Sequence, residues 1–306
     1  HSTSRRQRQM CIRDRYRELA YNKGNDEGLY MNHISDTTDI GITFQMTLDA
    51  FLDETHPVKD TNQNTYRDAL KKLEEANHCR SSQKKQTIAR EALGICTDCI
   101  EAYLVLGINE QNIYRKLGML KEGMELATMN LGKDFFLRDA SDFFEFDEAK
   151  PLFHIKFAYA ASLYEAGYMR KAQRQFQEIL NLNPEDLFQV RHYLMSIALY
   201  FEELESCREL LDKYRRNDAF CCFIRFLYLM KDEDFEQAKQ MILLLKEKNS
   251  FLYDILTYRS MNAVVTQGLP LEGSLEEAGY IYRIISKVVQ PMEYLHIFLV
   301  KNEANG

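Results

Sequence analysis

Residues 153 to 184 read FHIKFAYAASLYEAGYMRKAQRQFQEILNLNP, and this stretch decides the fold. Ala160 and Leu163 fall on the apolar face of a first helix. Gly167 follows at a turn, where a residue without Cβ lets the chain reverse direction. Ala172, Phe176 and Ile179 then recur at three- and four-residue spacing on a second helix, and Pro184 stops it. Two short amphipathic helices cannot bury their apolar faces alone, so such a unit requires stacked neighbours.

Those neighbours are legible in the same register. Cys207 and Leu211 stand 35 residues beyond Ala172 and Phe176, and Ala238 and Ile242 stand 31 residues further on. Upstream, AREALGICTDCIEAYLVLG places Ala92 and Leu93 at the end of a second helix, then Tyr103, Leu106 and Gly107 on the next first helix. A small residue where helices touch, a turn glycine, and Ala with an aromatic on the second helix resemble the tetratricopeptide repeat, with its period of about 34 residues. The expected fold is all-α: a tetratricopeptide-like α-solenoid of antiparallel helix pairs over residues 64 to 306, closed by a capping helix. Ser274 and Glu277 open that helix as a capping box, each side chain expected to take the other's backbone N–H.

Four blocks in order resemble the bacterial relatives of the suppressor-of-tumorigenicity type of tetratricopeptide protein. They are AREALGICTDCIEAYLVLG, the stretch from KDFFLRDASDFFEFDEAK to NLNPED, VRHYLMSIALYFEELESCRELLDKY, and GSLEEAGYIYRIISKVVQPMEYLHIFL. Thr97 stands where that family tends to carry Pro, and Ile285, Val288 and Val289 stand where it tends to carry aromatics. The resemblance implies a non-catalytic scaffold for protein–protein interaction and brings no established substrate or reaction.

Composition narrows the alternatives. The chain has 306 residues, only 13 Gly and 5 Pro, and no Trp, too little turn punctuation for a Rossmann or all-β fold. No window approaches the roughly 18 consecutive apolar residues that span a bilayer. Residues 1 to 15, HSTSRRQRQMCIRDR, carry five Arg and one acid, and Arg5 to Asp14 match a transposase sequencing adapter translated in frame. This segment is therefore expected to be non-native, and the protein a fragment beginning near Tyr16. Without it the formal charge moves from -7 to -11, with 34 Lys and Arg against 45 Asp and Glu. That acidity argues against nucleic acid as a partner. Residues 16 to 63 form a mixed segment in which Ile42, Met46, Phe51 and Leu52 fit a short helix. It leaves a second expectation open, a regulatory or accessory domain of a larger enzyme whose catalytic part lay upstream.

Binding residues are expected on the concave face of the first helices: His154, Phe157 and Tyr164, then Gln189, His192 and Ser196. Rings beside polar tips suit a protein or peptide partner, although neighbouring elements could equally pack over them. Phe135, Phe136, Phe143, Phe144 and Phe146 lie in DFFLRDASDFFEFD, which reads either as a docking loop or as a connection folded inward onto the repeats. Six cysteines beyond Cys11 fit a reduced, cytoplasmic thiol set. Cys96 and Cys99 with His78 and Cys79 make a weak zinc pattern, and no metal or other cofactor is expected. P-loop, GxGxxG, HExxH and nucleophile motifs are missing from the sequence, so no catalytic residue is expected.

Overall fold

The computed structural model describes residues 63–138, 142–258 and 271–303. The adapter-like start and all but the last residue of the mixed segment lie outside these, as does the short helix expected around 40 to 53. Among the described residues there are fifteen α-helices and no strand. The first pairs are α1 (Gln63–Asn77) with α2 (Ser82–Ile95), and α3 (Ile100–Ile108) with α4 (Ile113–Leu131). After the short α5 (Lys133–Phe136) come α6 (Lys150–Glu165) with α7 (Met169–Leu182), and α8 (Val190–Tyr200) with α9 (Leu204–Tyr214). In the next unit α10 (Ala219–Lys231) faces a broken second helix, α11 (Phe235–Gln240) and α12 (Ile242–Lys248). The chain then forms α13 (Ser250–Tyr258), α14 (Leu275–Val289) and α15 (Glu293–Glu303).

Local chemistry sets the helix ends. Ser81, Asn112 and Asp218 accept backbone N–H groups from the first turns of α2, α4 and α10, satisfying donors that have no partner within the helix. Pro151 sits in the first turn of α6, where its missing N–H costs nothing. Ser274 caps α14 by accepting the Glu277 N–H at 3.1 Å. The expected reciprocal bond is displaced by one residue, because Glu277 accepts from Gly273 N–H at 2.8 Å while the Ser274 N–H is spent on the Leu271 carbonyl.

The turn between paired helices recurs with one geometry. Gly167 has φ of 82°, with Tyr168 N–H on the Leu163 carbonyl and Gly167 N–H on the Tyr164 carbonyl, the paired bonds that close a helix on a left-handed residue. Glu202 (φ 59°) and Glu233 (φ 60°) hold the same place, 35 and then 31 residues later, with matching bonds from Glu203 to Ala198 and from Asp234 to Leu229. These offsets equal those of the small residues on the second helices. Ala172, Cys207 and Ala238 are all fully buried there. Gly107 sits where α3 meets α4, and a Cβ on it would lie 2.5 Å from the Leu120 side chain.

Packing runs mostly between chain neighbours: α6 on α4 and α7, α7 on α8, α8 on α9 and α10. One helix departs from this order. α14 packs on α13 and also on α8, far back in the chain. Its Ile281, Ile284, Ile285 and Val288 are buried, each aliphatic side chain contributing about 1.5–3 kcal/mol of transfer free energy.

A left-handed conformation costs a residue with a Cβ about 1–2 kcal/mol, a cost that glycine escapes. Glu233→Gly is therefore expected to stabilise the protein by about 1 kcal/mol, and Gly167→Ala to destabilise it by a similar amount. Urea titration of both variants checks this, and a destabilised Glu233→Gly would contradict the turn geometry.

Candidate functional site

The residues expected to line the groove separate into three environments. His154 and Phe157 are buried toward the α6–α7 side. His154 meets the ring of Phe188 edge-on at 5.4 Å, and Phe157 packs against Phe176, Phe188 and Tyr193. Gln189 is exposed, in a left-handed conformation at the start of α8. Tyr164, His192 and Ser196 converge, but beneath α14 rather than on an open surface.

The convergence has a definite geometry. The Tyr164 hydroxyl donates to the backbone carbonyl of Ile284. Ser196 donates to the same carbonyl at 2.8 Å, and the two hydroxyl oxygens lie 2.9 Å apart. A carbonyl oxygen has two lone pairs, so a helical backbone can receive side-chain donors of this kind. One turn earlier on α14, the Tyr280 hydroxyl is 3.3 Å from His192 Nδ1. The other face of the His192 imidazole stacks on Phe220 of α10 at 3.8 Å. Burial, and then the charges of Arg191 and Arg216, hold this imidazole well below its ordinary pKa, so it is neutral at pH 7.

The neighbouring charges are also buried. Arg191 pairs with Asp186 at 2.7 Å, and both side chains are almost wholly inaccessible. Asp186 further accepts the Val190 and Arg191 backbone N–H groups, fixing the start of α8. Burial pushes the Asp186 carboxyl up, opposed by Arg191. Arg283 of α14 lies over the Tyr280 ring, 6.0 Å from its centroid; burial pushes Tyr193 up to about 12, opposed by the charge of Arg283. Arg191 Nε, His192 Nε2 and Arg283 Nη1 are buried and have no hydrogen-bond partner among the described residues. Unmatched buried groups of this kind are costly, which marks this junction as imperfectly satisfied.

The phenylalanines on either side of residues 139–141 pack in two groups. Phe144 is buried between Phe153 and Phe188, with ring centroids 5.3 Å away on both sides. Phe135, Phe136, Phe143 and Phe146 pack on one another at 5.3–6.3 Å, and Arg138 covers two of these rings while pairing with Glu148. Asp142 anchors the connection, accepting from Phe144 N–H and from the Asn183 side chain. Of the five rings, Phe135 and Phe144 are buried, and Phe136, Phe143 and Phe146 are half-buried.

Cys99 is the cysteine of the Cys96–Cys99 pair that is fully buried. Among the described residues no group of three or more His, Cys, Asp or Glu is arranged to hold a metal ion. Cys99 is buried at the start of α3, its Sγ 3.6 Å from Glu101. The Tyr66 hydroxyl donates to Glu101 Oε2 at 2.5 Å, while Oε1 is buried without a hydrogen-bond partner. Burial pushes the Glu101 carboxyl and the Cys99 thiol up, so the thiol lacks the lowered pKa of a reactive cysteine. Glu101 escaped sequence reasoning, although an acid inside the apolar run IEAYLVLGI is the signal that marks it. A cleft of about 460 Å³ between α9, α10, α11 and α12 contains none of the binding residues expected from sequence; Arg208, Asp212, Arg225 and Tyr228 are among its lining.

No family model matches the chain, and no curated protein matches it. Among the described residues, no helix is long and apolar enough to cross a membrane. The junction of α14 with α6 and α8 is thus characterised by its own geometry, a face that grips a helix.

Two outcomes follow. Tyr164→Phe removes one donor to Ile284 and is expected to cost about 1 kcal/mol, with faster amide exchange in α14. Unchanged exchange there would contradict the contact. Glu101 holds its proton more tightly folded than unfolded, so its contribution is fully present below about pH 4.5 and is lost as pH rises through the raised value. Glu101→Gln keeps an acceptor for Tyr66 and cannot ionise. Its stability relative to wild type should therefore grow as pH rises from about 4.5 to 8 in urea titrations, and a difference that stays flat would contradict the buried carboxyl.

Proposed function

We propose that the chain is a non-catalytic scaffold, a tetratricopeptide-like α-solenoid that mediates protein–protein interaction through the inner face of its first helices. The observation that carries this reading is the seat of α14. On that face Tyr164 and Ser196 hold a helix by its backbone carbonyl, and Ile281, Ile284, Ile285 and Val288 bury its apolar stripe. A site that grips the backbone tolerates many sequences, which suits recognition of an amphipathic helix by its aliphatic spacing. The repeated turns at Gly167, Glu202 and Glu233 support the solenoid reading, since stacked units of one geometry present one continuous face.

Helical peptides selected from a display library on the full-length chain test the proposal. Because α14 occupies this face, bound peptide should displace it and raise amide exchange across residues 275–289, while α8 stays protected. Bound peptide that leaves α14 protected would contradict binding on this face.

A further inference from the structure

Glu101 sits in the first turn of α3 with 1% of its surface exposed, and Tyr66 satisfies only one of its two oxygens. A carboxyl left half-matched in apolar surroundings destabilises the fold, and groups of this kind mark proton or redox chemistry as well as strain. Its other neighbour is a thiol, with Cys99 Sγ 3.6 Å from Oε2. Cys99 is in turn joined to Cys96 by a tight turn, its N–H donating to the Cys96 carbonyl at 3.3 Å. A turn closed by that bond holds its end Cα atoms within about 7 Å, the span that a disulfide bridges. Cys96 also lies close enough to act electrostatically on the Cys99 thiol and on the Tyr66 hydroxyl.

The two thiols differ in access. Cys96 is half-buried and Cys99 is fully buried, so a reagent in solution meets Cys96 first. Burial and the charge of Glu101 hold the Cys99 thiol up, which leaves it inert on its own. Passing its proton to Glu101 changes this, because the negative charge moves between neighbours and none is added to the buried site.

We propose that Cys96 and Cys99 form a reversible redox site that closes to a disulfide by exchange with a small-molecule disulfide, with Glu101 as the base for Cys99. The Cys96 thiolate attacks one sulfur of the reagent, whose S–S bond breaks and releases a first thiol. Cys99 gives its proton to Glu101 Oε2 and attacks the Cys96 sulfur. The mixed disulfide breaks, and the second thiol leaves with the proton from Glu101. Two protein thiols are oxidised and one reagent disulfide is reduced to two thiols. Closure ties the residue that ends α2 to the residue that starts α3.

The intact chain is incubated with oxidised glutathione, alkylated in denaturant and cut with trypsin. Residues 91–115, bounded by Arg90 and Arg115, then form one peptide that carries both thiols and no other cysteine. That peptide is expected in its unalkylated disulfide form. In Cys99→Ser the reaction should stop with glutathione on Cys96, and in Cys96→Ser the buried Cys99 should stay unmodified. Glu101→Gln keeps an acceptor for Tyr66 and should slow closure about a hundredfold, so that the mixed disulfide at Cys96 accumulates. In urea strong enough to unfold both chains, this variant and wild type should close at one rate. A wild-type peptide alkylated at both positions would overturn the inference. So would direct reaction of Cys99 in Cys96→Ser, or a folded Glu101→Gln chain that closes as fast as wild type.

Discussion

Helix α8 is buried on every side, from Val190 through Leu199, and the rest of the fold answers to that constraint. A helix without a solvent face must be covered all round. Chain neighbours supply part of the cover: α7 before it, α9 after it, and α10 through the stacking of Phe220 on His192. The remaining side is closed by α14, and the two hydroxyls that reach the Ile284 carbonyl come from residues 120 and 88 positions away in sequence. Ser196 and Tyr164 are polar groups in a buried interface, where each hydroxyl must find a partner. A carbonyl on the covering helix meets that need for both.

The local levels of the fold were legible. Small residues at 172, 207 and 238 announced the second helices, and the turns fall at the offsets those residues predicted. What could not be read was the chemistry of turns that break the glycine rule. Glu202 and Glu233 adopt the left-handed conformation because the paired helices impose it, so a search for glycine finds only the first of three equivalent turns. Propensity reports what a residue prefers, and tertiary packing decides what it does.

The candidate site depends on a different level of structure. Register brings Tyr164, His192 and Ser196 together on one side of α6 and α8, yet register says nothing about what lies over them. The cover comes from a sequence-remote helix, and an amphipathic stripe such as Ile281, Ile284, Ile285 and Val288 looks the same whether it closes a stack or fills a groove. For His154, the contacts with Phe144 and Phe188 depend on a connection whose path no periodicity specifies. The phenylalanines of that connection were legible as apolar rings, but not which of them would be buried: Phe135 and Phe144 are, while Phe136, Phe143 and Phe146 are half-buried.

The seat of α14 is the claim on which the functional reading turns, and proton–proton contacts in the intact chain test it most directly. Nuclear Overhauser spectra should show the Tyr164 ring close to Ile284 and the Tyr280 ring close to the His192 imidazole. Spectra in which α6 and α8 keep their contacts with α7, α9 and α10 while α14 shows none with either would contradict the account.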